Sequence, residues 1–246
     1  MALPVTTFKM SSSSISFHRV GYRGAPALVP PGGTVASLRK AVEVGANMLM
    51  VDVRRTRDDI LIIDRDAVRM VDDHEVPLRH HPFAEWQRKT AETDSPITRL
   101  DEAFAIAVGA KVGLILDVRE PGIEALLARA IRQSGLGLEN VLVATSDETS
   151  RTIIRGLDPR IRLSHTLKAE DAAKVNAKLL GEIDTAAVTW HHRLVSPAVV
   201  KVLHARDIKV YVWPVDLSED MRRMRDTCGV DGIITNFPDV LAGLPR

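Results

Sequence analysis

The sequence predicts a single (β/α)₈ barrel, the TIM-barrel form of an α/β fold, from two observations. Short runs rich in β-branched residues alternate with helical segments along nearly the whole chain. The length of 246 residues is typical of one such barrel and leaves no room for a large second domain. Alternating strands and helices pair in parallel through right-handed crossovers, and eight such units close naturally. An open doubly wound sheet is the structural alternative.

Eight apolar segments have the length and composition of barrel strands. They are Ile15 to Val20, Met48 to Val53, Val112 to Val118, Val141 to Thr145, Ile161 to Ser164, Thr185 to Thr189, Lys209 to Trp213 and Asp231 to Thr235. Segments with a helical period lie between them, for example Val35 to Val44, Ile123 to Gln133, Pro197 to Ala205 and Ser218 to Asp226. Ser218 is a typical helix start, and Gly135 follows a helical run as a stop signal.

An insertion of about residues 57–96 separates the second strand from its helix. Ile60 to Ile63 is an additional strand candidate, whereas His74 to Trp86 is polar and poor in helix-forming residues. Insertions that follow a barrel strand lie at the carboxyl face, where barrel enzymes have their active sites. The insertion is therefore expected to lie at the functional end of the barrel.

Composition and charge argue against several classes of protein. A formal net charge of +1 lacks the excess of Lys and Arg on which nucleic-acid binding depends. No apolar run approaches the roughly 20 residues that cross a bilayer. The one cysteine, Cys228, excludes an internal disulfide and fits a reducing, cytoplasmic compartment. Residues 1–14 are polar and serine-rich, which predicts a flexible tail ahead of a barrel that spans residues 15–246.

A series of short motifs extends from the first strand to the last. The motifs are Tyr22-Arg23-Gly24-Ala25-Pro26, Pro31-Gly32-Gly33-Thr34, Gly45 to Asp58, Ile62 to Asp66, Pro96 to Glu102, Leu116 to Arg119, Thr145-Ser146-Asp147, Trp213 to Asp216 and Gly229 to Pro238. In order and spacing they resemble the glycerophosphodiester phosphodiesterase family of phospholipase-C-like TIM barrels. The resemblance spans roughly residues 15–243 and implies phosphodiester chemistry of lipid metabolism.

The resemblance implies a reaction with two histidines and with Ca²⁺ or Mg²⁺ held by three carboxylates. The two histidine positions carry Tyr22 and Arg65. A phenol is a poor base at neutral pH, and a guanidinium does not give up its proton. The first metal-binding carboxylate is replaced by Met50, whose thioether a hard cation ignores. We therefore expect no metal or other cofactor here.

The other charged positions that the resemblance assigns to the site keep the sign of their charge. Asp52 is retained, and Asp117 is one methylene shorter than the family's Glu. Arg119 replaces a Lys, and Arg23 is retained. Trp213 matches a family Trp and is expected either to form a wall of the pocket or to pack at the strand end.

The inferred pocket has a reversed charge. Two carboxylates and three guanidinium groups give it a net charge of +1; the residues are Asp52, Asp117, Arg23, Arg65 and Arg119. The family pattern implies a net charge of −1 before metal binds. Guanidinium groups fit the oxygens of phosphate or carboxylate. The predicted partner is an anionic small molecule. The alternative is an ion-pair network with only a structural role.

Three functional hypotheses follow. The first is a family member that has lost metal-dependent hydrolysis, a pseudoenzyme that binds an anion. The second is an active, metal-independent enzyme that uses Tyr22, a nearby histidine and Asp52 or Asp117. The third is an ordinary phosphodiesterase whose first motif is His18-Arg19. Candidate histidines at the barrel mouth are His165 and His191-His192, and His80-His81 lie in the insertion.

Overall fold

A computed structural model describes residues 17–245, so the predicted tail and the first residues of the first predicted strand lie outside the described residues. The strands are β1 (His18–Tyr22), β2 (Met48–Arg55), β3 (Leu61–Ile63), β4 (Val68–Val71), β5 (His74–Pro77), β6 (Thr98–Arg99), β7 (Gly113–Val118), β8 (Val141–Thr145), β9 (Arg162–Leu167), β10 (Ala187–His191), β11 (Lys209–Trp213) and β12 (Gly232–Thr235). The helices are α1 (Val35–Glu43), α2 (Phe83–Thr90), α3 (Leu100–Ala110), α4 (Glu124–Gln133), α5 (Glu148–Leu157), α6 (Ala177–Glu182), α7 (Pro197–His204), α8 (Ser218–Arg222) and α9 (Pro238–Ala242).

Eight of these strands close into a parallel barrel. Neighbours follow the order β1-β12-β11-β10-β9-β8-β7-β2, and a further pairing of β1 with β2 completes the ring. Each of these pairs is parallel, with helices between consecutive barrel strands. The predicted TIM barrel is confirmed, and closure rules out the open doubly wound sheet.

Alternation along β2 separates the barrel interior from the helical layer. Leu49, Val51 and Val53 are fully buried in the cluster that includes the apolar faces of the surrounding helices. Met48 and Met50 belong instead to a cluster inside the barrel. Because successive side chains of a strand point to opposite faces, Asp52 shares the inward face with Met50.

Four predicted strands end too early at the carboxyl side. β1 runs to Tyr22, β2 to Arg55, β9 to Leu167 and β10 to His191, each two or three residues beyond its predicted end. Backbone pairing with neighbouring strands continues there, for example between Thr166 and Thr189. Polar side chains at the barrel mouth interrupt the apolar pattern, so composition alone predicts strand ends that come too early in the chain.

Residues between β2 and α3 form a small unit with its own core. β3 pairs antiparallel with β2, β6 pairs with β3, and β4 and β5 form a hairpin. The expectation of a helix-poor stretch up to Trp86 is wrong at its end, because α2 begins at Phe83. Trp86 is fully buried, its indole Nε1 donates to the Leu78 carbonyl at 2.7 Å, and this anchoring stabilises the helix.

Two helix boundaries test the sequence signals. Gly135 adopts a left-handed φ of 73° just after α4, as its role of stop signal requires. Ser218 is the first residue of α8 rather than its cap, which is Leu217. The stretch that follows α8, Arg223–Cys228, is π-helical.

Among the described residues, no helix is both long enough and apolar enough to span a membrane.

Candidate functional site

The barrel register brings the central site residues to one level at the carboxyl ends of the first three barrel strands. Tyr22 pairs with Met50 across β1 and β2, and Asp52 pairs with Asp117 across β2 and β7. Asp52 is fully buried, and Asp117 is 8% exposed. The two carboxylates therefore lie side by side on neighbouring strands, facing the barrel interior.

The turn after β1 positions Arg23. Its backbone is left-handed, with φ of 52°, and Gly24 follows with φ of 89°. A Cβ at Gly24 would lie 2.4 Å from the backbone carbon of Ser37, so this position requires glycine. The guanidinium carbon of Arg23 lies 5.5 Å from the centre of the Tyr22 ring. Its Nη2 donates to the Pro31 carbonyl at 3.1 Å.

A network of side chains joins three barrel strands. The Tyr22 hydroxyl donates to Asp52 Oδ2 at 3.1 Å. Arg119 Nε lies 3.5 Å from Asp52 Oδ1, and Arg119 Nη1 donates to Asp117 Oδ2 at 3.1 Å. One guanidinium therefore bridges both buried carboxylates.

Burial controls protonation in this network. Burial raises the pKa of Asp52 even though Arg119 and Tyr22 oppose the shift. Burial, together with the neighbouring Asp52 charge, also raises the pKa of Asp117. The pKa of the Tyr22 phenol lies well above its ordinary value, because the ring is buried and adjoins Asp52. Tyr22 is accordingly a neutral hydrogen-bond donor at physiological pH.

A cavity of about 540 Å³ opens above the network. Six of the seven predicted site residues line it: Tyr22, Arg23, Arg65, Asp117, Arg119 and Trp213. The seventh, Asp52, lies beneath Tyr22 and Arg119 without exposure to solvent. Trp213 donates its Nε1–H to the Thr189 carbonyl at 2.9 Å, which fixes the ring at the cavity wall. The tertiary structure thus brings together residues from both halves of the sequence.

Several lining residues were not predicted as part of the site. Ser146, Asp216 and Asn236 occur in the motifs but had no assigned role, and Thr166 and Lys168 occur in none. All five lie at or just beyond the carboxyl end of a barrel strand. That position is a usable signal, because barrel sites are built from these ends. At β9 this signal fails, because the predicted strand ends at Ser164, before Thr166 and Lys168.

Asp216 is fixed by its surroundings. Its Oδ1 accepts from the Thr235 hydroxyl and from the Asn236 backbone N–H, both at 2.9 Å. Its Oδ2 accepts from the Asn236 side-chain amide at 2.8 Å. These bonds tie the loop after β11 to the end of β12 and hold the cavity wall in place.

His18 lies at the amino end of β1, away from the cavity. Its Nδ1 shares a hydrogen bond with the Tyr211 hydroxyl at 2.9 Å, and the two rings stack. Burial lowers the pKa of His18. The hypothesis that His18-Arg19 forms the first catalytic motif is wrong, because that end of the barrel is opposite the site.

The remaining candidate histidines contact other groups. His165 packs edge-on against Trp190, and burial lowers its pKa to about 4. His191 packs edge-on against Trp213, and His192 Nδ1 lies 2.6 Å from the Pro214 carbonyl oxygen. His81 pairs with Glu85 within the insertion at 3.0 Å. Among the described residues, the lining of the cavity contains no histidine.

The residues at the implied metal position do not fit a hard divalent cation. Ca²⁺ and Mg²⁺ require several oxygen ligands. Here a thioether, Met50, adjoins two carboxylates that already share the Arg119 guanidinium. Across residues 17–245 there is no group of three or more His, Cys, Asp or Glu side chains arranged to hold a metal ion.

Comparisons with known proteins agree with this architecture. The pattern of the glycerophosphoryl diester phosphodiesterase family matches residues 22–240. A glycerophosphodiester phosphodiesterase of Caldanaerobacter subterraneus is 26% identical over 92% of this chain and 97% of its own length. One from Bacillus subtilis is 24% identical over 90% of this chain and 84% of its own length.

Solved structures show the same fold. A phosphodiesterase from Oleispira antarctica, determined with the product sn-glycerol-3-phosphate, has a TM-score of 0.76 at 20% identity, over 90% of this chain and 94% of that one. A glycerophosphodiester phosphodiesterase from Thermotoga maritima has a TM-score of 0.74 at 20% identity, over 93% and 98%. With the family pattern covering most of the barrel, the chain belongs to the glycerophosphoryl diester phosphodiesterase family.

Proposed function

We propose that this protein binds the phosphate or carboxylate group of an anionic small molecule at the barrel mouth and has lost metal-dependent phosphodiester hydrolysis. The position of Arg119 carries the proposal. Its guanidinium lies 3.5 Å from Asp52 and 3.1 Å from Asp117. A fixed cation of the protein therefore already pairs with both carboxylates, and the thioether of Met50 stands where a third oxygen ligand would be needed to hold a metal ion.

The charge around the cavity supports an anionic ligand. Four cationic side chains, at Arg23, Arg65, Arg119 and Lys168, stand against the three carboxylates of Asp52, Asp117 and Asp216. The raised pKa values of Asp52 and Asp117 shift this balance further toward positive charge. Guanidinium groups form paired hydrogen bonds with phosphate and carboxylate oxygens.

Arg23 offers a donor that the described protein does not use. Its Nε–H is buried and has no hydrogen-bond partner among residues 17–245. Buried polar groups are normally satisfied, and an unused one in a native fold calls for an explanation. A bound anion beside Arg23 would supply the missing acceptor.

A rebuilt, metal-independent enzyme is the rival function, and two observations weigh against it. Tyr22, which shares the acid–base role with a histidine and Asp52 or Asp117 in that hypothesis, holds its proton more firmly than a free phenol because it is buried beside Asp52. In the part of the chain that the structure describes, no histidine lines the cavity beside it. Both observations favour binding over proton transfer.

A hydrolysis assay tests the loss of activity. Purified protein would be incubated with glycerophosphocholine in the presence of Ca²⁺, Mg²⁺ or a chelator, and released glycerol 3-phosphate would be measured. We expect no release above the buffer blank in any arm. Turnover stimulated by metal would overturn the proposal, and turnover that survives the chelator would favour the rebuilt enzyme instead.

A thermal-shift titration tests anion binding. Inorganic phosphate should raise the melting temperature, because a ligand at 100 times its Kd stabilises the native state by about 2.7 kcal/mol. Arg65→Gln should weaken this response without loss of folding, since Arg65 is exposed. Arg129→Gln on the outer face of α4 is the matched control and should respond like the unmodified protein. Equal responses from both variants would contradict the site.

We also propose a cytoplasmic location. Cys228 is the one cysteine of the sequence, and it is buried as a free thiol. Such cysteine use is typical of reducing compartments. Cell fractionation followed by immunoblotting checks the proposal, and recovery in a membrane or secreted fraction would contradict it.

A further inference from the structure

The wall of the cavity opposite Arg23 carries a second polar cluster. Ser146 follows β8, Thr166 lies near the end of β9, and Lys168 follows β9 directly. All three line the cavity that Tyr22 and the arginines line. We call them the Lys168 cluster. Lys168 contributes to the charge balance of the cavity, but no contact with a ligand has been assigned to any of the three.

Thr166 contains a buried hydroxyl without a partner. The residue is 8% exposed, and its Oγ1 has no hydrogen-bond partner among the described residues. The neighbouring inward hydroxyl on the same strand, Ser164 Oγ, is paired with Thr189 Oγ1. Leaving a buried hydroxyl unpaired destabilises the folded state. Because Thr166 also lines the cavity, a polar group of a ligand at this wall would supply the missing partner.

Lys168 is held close to the cavity but is weakly neutralised. Its Nζ lies 3.8 Å from Glu170 Oε1, and both side chains are more than half exposed, at 56% and 71%. Exposed ion pairs of this kind are weak, because water screens both charges. Two other acids on this side already have partners: Asp216 accepts three hydrogen bonds from Thr235 and Asn236, and Asp171 pairs with Lys174 at 2.6 Å. The Lys168 ammonium thus remains available to a ligand.

Strand register fixes how far this cluster lies from the arginines. Asp117 pairs with Ala144 and Ala144 pairs with Ser164, so positions two residues further on place Arg119, Ser146 and Thr166 at one level. Neighbouring strands are about 4.8 Å apart, which separates the Arg119 and Thr166 backbones by about 10 Å. A ligand that contacts both groups therefore needs only a short backbone.

We propose that the ligand of this cavity carries two anionic groups on a short backbone, one held by Arg23, Arg65 and Arg119 and the other by the Lys168 cluster. The inference rests on the proposed anion-binding function and narrows its ligand class. Lysine and hydroxyl groups supply donors, as a second carboxylate or phosphate requires. A ligand with a single anionic group would leave the Thr166 hydroxyl and the Lys168 ammonium without partners.

Two probes of equal carbon length test the inference. Glycerol 3-phosphate has one anionic group, and 3-phosphoglycerate replaces its terminal hydroxymethyl with a carboxylate. Isothermal titration at fixed ionic strength should show 3-phosphoglycerate binding at least about tenfold more tightly, the effect of one charge-assisted contact. Lys168→Gln should reduce that preference to about threefold or less, and Thr166→Val should reduce it in part.

Matched variants separate this cluster from general charge attraction. Arg65→Gln should weaken both probes by a similar factor and leave the preference intact. Lys201→Gln, exposed on α7, should change neither. Binding of neither probe would refute the proposed function itself. Equal binding of both, or a preference that Lys168→Gln does not reduce, would overturn the second anionic group while leaving the first site standing.

Discussion

The Tyr22 hydroxyl donates a hydrogen bond of 3.1 Å to the fully buried carboxylate of Asp52. The pKa of the phenol is raised by burial and by Asp52, so the donor keeps its proton. Tyr22 stands where the family resemblance implies a histidine. At that position the chain has a group that stabilises a buried charge instead of one that exchanges protons near neutral pH.

Tyr22→Phe should destabilise the protein by about 1–3 kcal/mol at pH 8, because one oxygen of a buried carboxylate loses its donor. The loss should be smaller at pH 4. The pKa of Asp52 is already raised in the fold, so a greater share of Asp52 is protonated there. Urea unfolding of both proteins at the two pH values measures the difference. An equal loss at both values would mean that the hydrogen bond to the carboxylate is not what the variant removes.

Arg119→Gln should cost more, about 3 kcal/mol at pH 8, because Asp52 and Asp117 both lose their bridging cation. Acidification should recover part of the loss, since protonated carboxyl groups no longer need a charge partner. The same unfolding titration checks this expectation. Arg129→Gln is the control, and a change of similar size there would show that loss of any arginine has this effect.

Asp117→Asn should flatten the dependence of stability on pH. Because the pKa of Asp117 is raised in the folded state, the native protein binds more protons than the unfolded chain above the ordinary carboxyl pKa. Unfolding free energy therefore falls as pH rises from that value through the raised pKa. The variant removes this group, so its unfolding free energy should decline less from pH 4 to pH 8. A slope equal to that of the unmodified protein would contradict the raised pKa.

Trp86→Ala should loosen the insertion without unfolding the barrel. Trp86 is buried in a separate cluster with Ile62, Leu78 and Ile97. Removal of a buried Trp costs about 3–5 kcal/mol locally. Limited proteolysis should therefore cut the variant first between residues 57 and 96.

Trp190→Ala provides the comparison for the insertion. Trp190 is equally buried but lies in β10 of the barrel, in a cluster shared with Val188 and Val212. Its replacement should lower the stability of the whole domain, seen as a lower urea midpoint with no preferred early cut. Early cleavage within the insertion of both variants would show that the insertion and the barrel unfold together.

The sequence determined the fold class because that information is periodic and repeated. Eight strand candidates alternating with helical segments predict a barrel, and pairing of β1 with β2 closes it. The helix inside the insertion and several strand ends were less well predicted. Trp86 supports a helix through contacts with Leu78, which a local pattern does not contain. Polar residues at the end of β9 interrupt the apolar pattern, so the sequence does not predict the last three residues of that strand.

The sequence also determined which residue types occupy the site, since alternation along β2 and β7 places Met50, Asp52, Asp117 and Arg119 on inward faces. Only the tertiary structure decided how they interact. Residues far apart in the chain meet because each strand contributes its carboxyl end to the same mouth. The sharing of Arg119 by two buried carboxylates, and the meeting of Lys168 with the arginines at one cavity, depend on register and distance. The composition of the chain and the spacing of residues along it determine neither that register nor those distances.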